Sequence, residues 1–244
     1  MTKKKAAPRG TLIYGINPIC ELLKAKRRKL IVLYTTKPTP RSFDTIKRLL
    51  PPGVQTQFVG RDVLERMAGS AEHQSVVAWV GDFPTTKQIF DPKKHPFILL
   101  LDGVQDPRNL GAILRSAYCT GADGVVLPKK QSAPLSGTVF KSSAGLAEHL
   151  LIHETPTAAS AAQQLKQAGY TLYLAALDGE SPDAHTYDGP TCLVIGSEGT
   201  GISPAILKLG PHITIEQRSP TISYNASVAA GILLHTIGKK KGVI

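Results

Sequence analysis

The chain has 244 residues, 42% hydrophobic and 19% charged, enough to bury one large or two small cores and ordinary for a globular protein. Its three cysteines, Cys20, Cys119 and Cys192, are odd in number and lie apart among apolar residues. That argues against a disulfide framework or a thiolate metal site and predicts buried, reduced thiols. The net charge of +11 comes from one end: residues 1–95 hold 18 Lys and Arg against 7 Asp and Glu, and residues 96–244 hold 11 of each.

Residues 1–10 read as a basic tail lacking the apolar core of a secretory signal, and no apolar run reaches membrane-spanning length, so a cytoplasmic location is expected. Residues 11–80 read as a small α/β unit, with helices predicted over 18–24, 43–50 and 62–67 and strands over 30–34, 54–59 and 75–80. The densest charge of the chain, Lys24, Lys26, Arg27, Arg28 and Lys29, lies in this unit. Such charge attracts phosphate through counterion release, and with no basic amphipathic helix beside it the expected partner is nucleic acid rather than a membrane. Residues 81–95 carry prolines and charges and read as a linker.

From residue 96 onward strands and helices alternate. Strands are predicted over 97–101, 124–127, 170–175, 191–195 and 212–215, with a last helix over 225–237. The alternation predicts an α/β domain built on a mostly parallel sheet covered on both faces, which takes ligands at the carboxyl ends of its strands.

Three loops leave such strand ends: 102–109, 196–202 and 216–224. After the first, Leu110, Ile113, Leu114 and Ala117 form an apolar helical stripe, with Asn109 expected as the N-cap. Arg115 lies off that stripe, sharing a face with Gly111 and Ala112, and its side chain is expected to lean toward Asn109. The second loop, Gly196-Ser197-Glu198-Gly199-Thr200-Gly201, is a glycine-rich turn that either lets backbone approach a ligand or simply turns tightly; it lacks the Lys-Ser/Thr of a nucleotide-hydrolysing loop and the glycine spacing of a dinucleotide fold. The third ends in Ser223-Tyr224-Asn225-Ala226-Ser227, with more polar groups than a helix cap needs, before a small-residue helix start that would admit a closely packed element or a second subunit.

Asn109 with Arg115, the Gly196-Ser-Glu-Gly turn and the Ser-x-Asn-x-Ser helix start, in this order and spacing, closely resemble the three motifs of SpoU (TrmH-like) RNA ribose 2'-O-methyltransferases of the SPOUT superfamily. The resemblance covers residues 96–244, and residues 11–80 are similar to the family's RNA-binding extension, with Tyr14-Gly15-Ile16 and His73-Gln74 as its landmarks. It implies a SPOUT-type parallel sheet with a C-terminal trefoil knot, a homodimer, and S-adenosylmethionine as methyl donor without a metal. By position, Gly196, Ile215 and Tyr224 fall where the family binds that cofactor. Asn109, Arg115, Glu198, Ser223 and Asn225 fall at its active centre.

Methyl transfer to a ribose hydroxyl requires an aligned oxygen that loses its proton near the transition state. Arg115 is the family's proposed base, yet a guanidinium normally stays protonated, so it acts either as a base in an unusual site or as a charged anchor for phosphate and alkoxide. Glu198 is expected to pair with an arginine or to stand exposed. The seven histidines show no metal-ligand spacing.

The chain departs from the family at several positions. Ile215 is followed by Glu216 and Gln217 in place of Pro-Met, Ser219 stands for a glycine, Tyr224 for a leucine, and Asn17 for a histidine. The expected substrate is a guanosine of large-subunit rRNA, with tRNA as the alternative and a catalytically silent RNA-binding or ribosome-assembly factor as the reading from another class.

Overall fold

The computed structural model describes residues 10–218 and 222–244, so residues 1–9 of the basic tail and Ser219 lie outside the described residues. The chain divides into two compact units. The first begins with β1 (Thr11–Tyr14), α1 (Ile16–Ala25), β2 (Leu30–Thr35), α2 (Phe43–Leu49), β3 (Gln55–Phe58), α3 (Arg61–Ala68) and β4 (Val76–Val80). Its sheet has the order β1-β4-β2-β3, with β2 and β3 parallel and the other pairings antiparallel.

The second unit starts with β5 (Phe97–Asp102), α4 (Pro107–Cys119) and β6 (Gly124–Pro128). Residues Leu135–Glu148, which carry α5 (Gly137–Ser142), then belong to the first unit, where α5 packs on β1. The second unit resumes with β7 (Leu151–Thr155), α6 (Ala158–Ala168), β8 (Thr171–Glu180), β9 (Thr191–Gly196), α7 (Pro204–Leu207), β10 (His212–Ile213) and α8 (Ala226–Lys240). Its six strands are all parallel, in the order β10-β8-β9-β5-β6-β7. The run Phe97 to Leu101 is fully buried, as an interior parallel strand covered on both faces requires.

The two strands absent from the sequence reading, β1 and β7, are both edge strands. Edge strands are short and keep one side polar, which weakens the apolar signal by which strands are recognised. The basic cluster is also used differently from expectation. Arg28 is buried: its Nε donates to Glu148 Oε2 at 3.1 Å, its Nη1 donates to the Gly81 carbonyl at 3.2 Å, and its guanidinium lies 4.3 Å from the centre of the Phe140 ring. Arg27 donates to the carbonyls of Glu148 and Pro84. Two of the cluster's five cations thus hold Leu135–Glu148 in place, and Lys24, Lys26 and Lys29 are its exposed members.

Two further expectations are corrected. Asp106, not Asn109, caps α4, accepting a hydrogen bond from the backbone N–H of Arg108, and Pro107 opens the helix ahead of Asn109. Cys119, at the end of α4, is exposed, whereas Cys20 and Cys192 are buried.

Candidate active site

The order β10-β8-β9-β5-β6-β7 reverses direction between β5 and β9, the place where a parallel sheet opens a crevice at its carboxyl edge. Asp102 and Gly196 end these adjacent strands in register, so the loops that follow them meet. Glu198 accepts a hydrogen bond from Nδ2 of Asn109, which its place in the first turn of α4 leaves free of capping. Asn109 Oδ1 in turn accepts from Nδ2 of Asn225 at 3.2 Å. Asn225 Oδ1 accepts from both the backbone N–H and the hydroxyl of Ser227, capping α8. The three distant sequence motifs are therefore joined in one polarised chain of hydrogen bonds, Ser227 to Asn225 to Asn109 to Glu198. Glu198 pairs with this carboxamide and not with an arginine.

Beside this chain lies a cleft of about 430 Å³ at the carboxyl ends of β9, β8 and β10. Gly196, Ile215 and Tyr224 all line it, as do Glu198 and Ser223. Gly196 must be glycine for a reason internal to the protein: a Cβ there would come within 2.1 Å of the Gly201 carbonyl carbon. The loop is a tight turn, closed by Ser197 N–H to the Gly201 carbonyl at 3.1 Å and the reciprocal bond at 3.0 Å, with the Ser197 hydroxyl accepting from Thr200 N–H at 3.2 Å. Asp102 fixes its far end by accepting from Ser203 N–H at 2.7 Å.

Arg115 stands apart. It is exposed on α4, and its side chain makes no hydrogen bond or ion pair, to Asn109 or to any other of the described residues. The apolar stripe beneath it is as predicted, with Leu110, Ile113, Leu114 and Ala117 fully buried. On a different face α4 packs against α8, where a Cβ at Gly231 would lie 3.5 Å from the Ser116 hydroxyl.

The sequence reading missed Asp178 and its partner His212. Asp178 lines the cleft from the end of β8, which runs to Glu180, beyond its predicted limit. Nδ1 of His212 lies 2.9 Å from Asp178 Oδ1 and Nε2 lies 2.8 Å from the Leu207 carbonyl. Both ring nitrogens face acceptors, which the doubly protonated ring satisfies best. The Leu207 carbonyl first, and Asp178 second, raise the histidine above its usual range, and the bond from His212 lowers the carboxyl of Asp178. The available signal was the strand itself: residues at the carboxyl end of a parallel strand face the crevice. Among the described residues no three His, Cys, Asp or Glu side chains stand together as a metal site would need.

Residues 96–235 match the SpoU rRNA Methylase family, and residues 12–85 match the RNA 2'-O ribose methyltransferase substrate binding family. The chain belongs to the SpoU family. It is by that membership an RNA methyltransferase. A Bacillus subtilis protein assigned by name to the TrmH family of tRNA/rRNA methyltransferases, YacO, is 32% identical over 95% of this chain and 96% of its own. The 23S rRNA (guanosine-2'-O-)-methyltransferase RlmB of Haemophilus influenzae is 30% identical over 94% of this chain and 97% of its own. The fold is similar to that of the SpoU methyltransferase AviRb from Streptomyces viridochromogenes, solved in complex with AdoMet, with a TM-score of 0.79 at 22% identity over 96% of this chain and 91% of that one.

Proposed function

We propose that this SpoU-family chain methylates a ribose 2'-hydroxyl in RNA, with S-adenosylmethionine as donor and a guanosine of large-subunit rRNA as target. The observation that carries the reading is the hydrogen-bonded chain of Glu198, Asn109 and Asn225 at the side of the cleft lined by Gly196, Ile215 and Tyr224. The cleft has the volume of a small-molecule site. Its apolar wall, with Ile195, Ile213 and Leu233, suits a nucleoside, and the exposed carboxylates of Asp178 and Glu198 suit a cation. S-adenosylmethionine supplies, when bound, a methyl group on a positively charged sulfur.

The chain's own residues then act on the ribose. Asn109 and Asn225 hold Glu198 in one orientation, and Ser223 offers a hydroxyl at the edge of the cleft. Arg115, exposed and unbonded within the described residues, is free to take an RNA phosphate and to stabilise the developing alkoxide as a fixed positive charge. The hydroxyl proton passes to solvent, which Arg115 and Glu198 both face.

The rRNA target is favoured over tRNA by the nearly full-length correspondence with RlmB and by the basic N-terminal charge. The chain forms a homodimer through the exposed apolar residues Tyr118 on α4 and Val228 and Ile232 on α8. The segment after β9 threads as a trefoil knot, and an rRNA substrate puts the reaction in the cytoplasm. Incubation of total RNA with the protein and methyl-labelled S-adenosylmethionine, followed by mapping of 2'-O-methyl positions, tests the reading. A single new methyl on a 23S guanosine is expected; a methylated tRNA would replace the target, and bound but unmethylated RNA would point to the silent factor.

A further inference from the structure

In the first unit β2 and β3 run parallel at one side of the sheet, so their carboxyl ends lie together, with Thr35 opposite Phe58. Pairing continues past the strands through Val59 N–H to the Thr35 carbonyl at 2.9 Å. Phe58 ends the outermost strand and is 55% exposed, although its neighbour Thr35 is fully buried. A phenylalanine left open at a strand end forgoes the transfer energy that burial would give and keeps a flat apolar face available to a ligand.

Its surroundings are cationic. Nζ of Lys37, two residues beyond Thr35, lies 6.0 Å from the centre of the ring, within reach of a cation–π contact. Arg61, three residues beyond Phe58, is exposed, as is Arg41 in the loop after β2. The nearby acid Asp62 is offset by its ion pair with Arg66 at 3.0 Å. An aromatic face flanked by cations is the chemistry that holds an unpaired nucleobase: the ring stacks on the base and the cations take the flanking phosphates. A double helix keeps its bases stacked on one another and offers such a ring nothing.

We infer that Phe58, with Lys37 and Arg61, is a stacking platform for one unpaired base of the RNA bound by this domain. The inference rests on the reading that the domain binds RNA substrate. The full chain would be titrated, in wild-type, Phe58→Ala and Phe58→Trp forms, with a labelled single-stranded oligoribonucleotide and with an RNA duplex of equal charge. Phe58→Ala is expected to weaken single-strand binding about tenfold and to leave duplex binding unchanged, whereas Phe58→Trp retains affinity. Because the natural chain has a single tryptophan, Trp79, the added indole is read as a difference spectrum, and its emission should be quenched by the single strand. Unchanged single-strand affinity in Phe58→Ala, equal loss on both RNAs, or no quenching overturns the platform. Failure of the wild-type protein to bind either RNA would instead remove the reading beneath it.

Discussion

Asn225 donates a hydrogen bond to Asn109 at 3.2 Å while its own Oδ1 caps α8 through Ser227. One side chain thus joins two motifs that lie 116 residues apart in sequence. The two bonds use different atoms, so they are separable by substitution. Asn225→Asp keeps the capping oxygen and removes the donor to Asn109; methyl transfer is expected to fall about 10²-fold through misalignment, with thermal stability nearly unchanged. Asn225→Ala should lose the same activity and in addition about 1 kcal/mol of stability. Parallel rate and melting measurements distinguish them, and an active Asn225→Asp would detach the hydrogen-bonded chain from catalysis.

Arg115 has no partner within the described residues, so removing it leaves nothing unpaired in the fold. Arg115→Ala is expected to melt within about 0.5 kcal/mol of wild type. Its methyl transfer should fall about 10²–10³-fold, as for loss of a preorganised charge. Arg115→Lys, which retains the charge without the fork, should recover part of the rate if the residue acts electrostatically. Full activity in Arg115→Ala would exclude the residue from the mechanism.

The His212 bonds to the Leu207 carbonyl and Asp178 give stability a pH dependence of known sign. The histidine is raised in the folded state, so its contribution is complete below its unfolded value and is lost as pH rises through the folded one. Asp178 is lowered, so its contribution is lost only in acid, as pH falls through its folded value. The melting difference between wild type and His212→Ala should therefore be larger at about pH 5.5 than at about pH 8.5. An equal difference at both would mean that the imidazole packs as a neutral ring.

Arg28 and Glu148 are a buried pair, with side chains 2% and 1% exposed. Removing one partner strands the other charge away from water. Arg28→Ala or Glu148→Ala is expected to cost about 3–5 kcal/mol in denaturant melts, far more than Lys26→Ala or Lys29→Ala on the exposed part of the same cluster. For the same reason, deleting the N-terminal domain would leave Glu148 and Phe140 without the arginine that covers them, so charge-neutralising surface substitutions measure RNA affinity more cleanly than a truncation does.

Much of the second domain was legible because its signals are local. The apolar runs of β5, β6 and β9 and the stripe from Leu110 to Ala117 report burial through periodicity alone, and the three motifs pointed to the family without any coordinates. The N-cap of α4 was misread because both Asp106 and Asn109 satisfy the local preference. Only the register of β5 against β9, which brings Glu198 over the first turn of α4, decides that Asn109 bonds across the site while Asp106 caps.

Charge shows the same division. Composition determined that the N-terminal part is strongly basic, and that count holds whatever the fold. Which cations meet solvent is a tertiary matter: Arg28 is withdrawn by Phe140 and by Glu148, the latter 120 residues away, whereas Lys37 is brought to the exposed ring of Phe58 by two parallel strand ends. Sequence by itself determined most of the elements and the family, because propensity, period and motif act over a few residues. The tertiary structure alone decided which of those side chains touch, because strand order and the return of Leu135–Glu148 to the first unit set distances that no local pattern encodes.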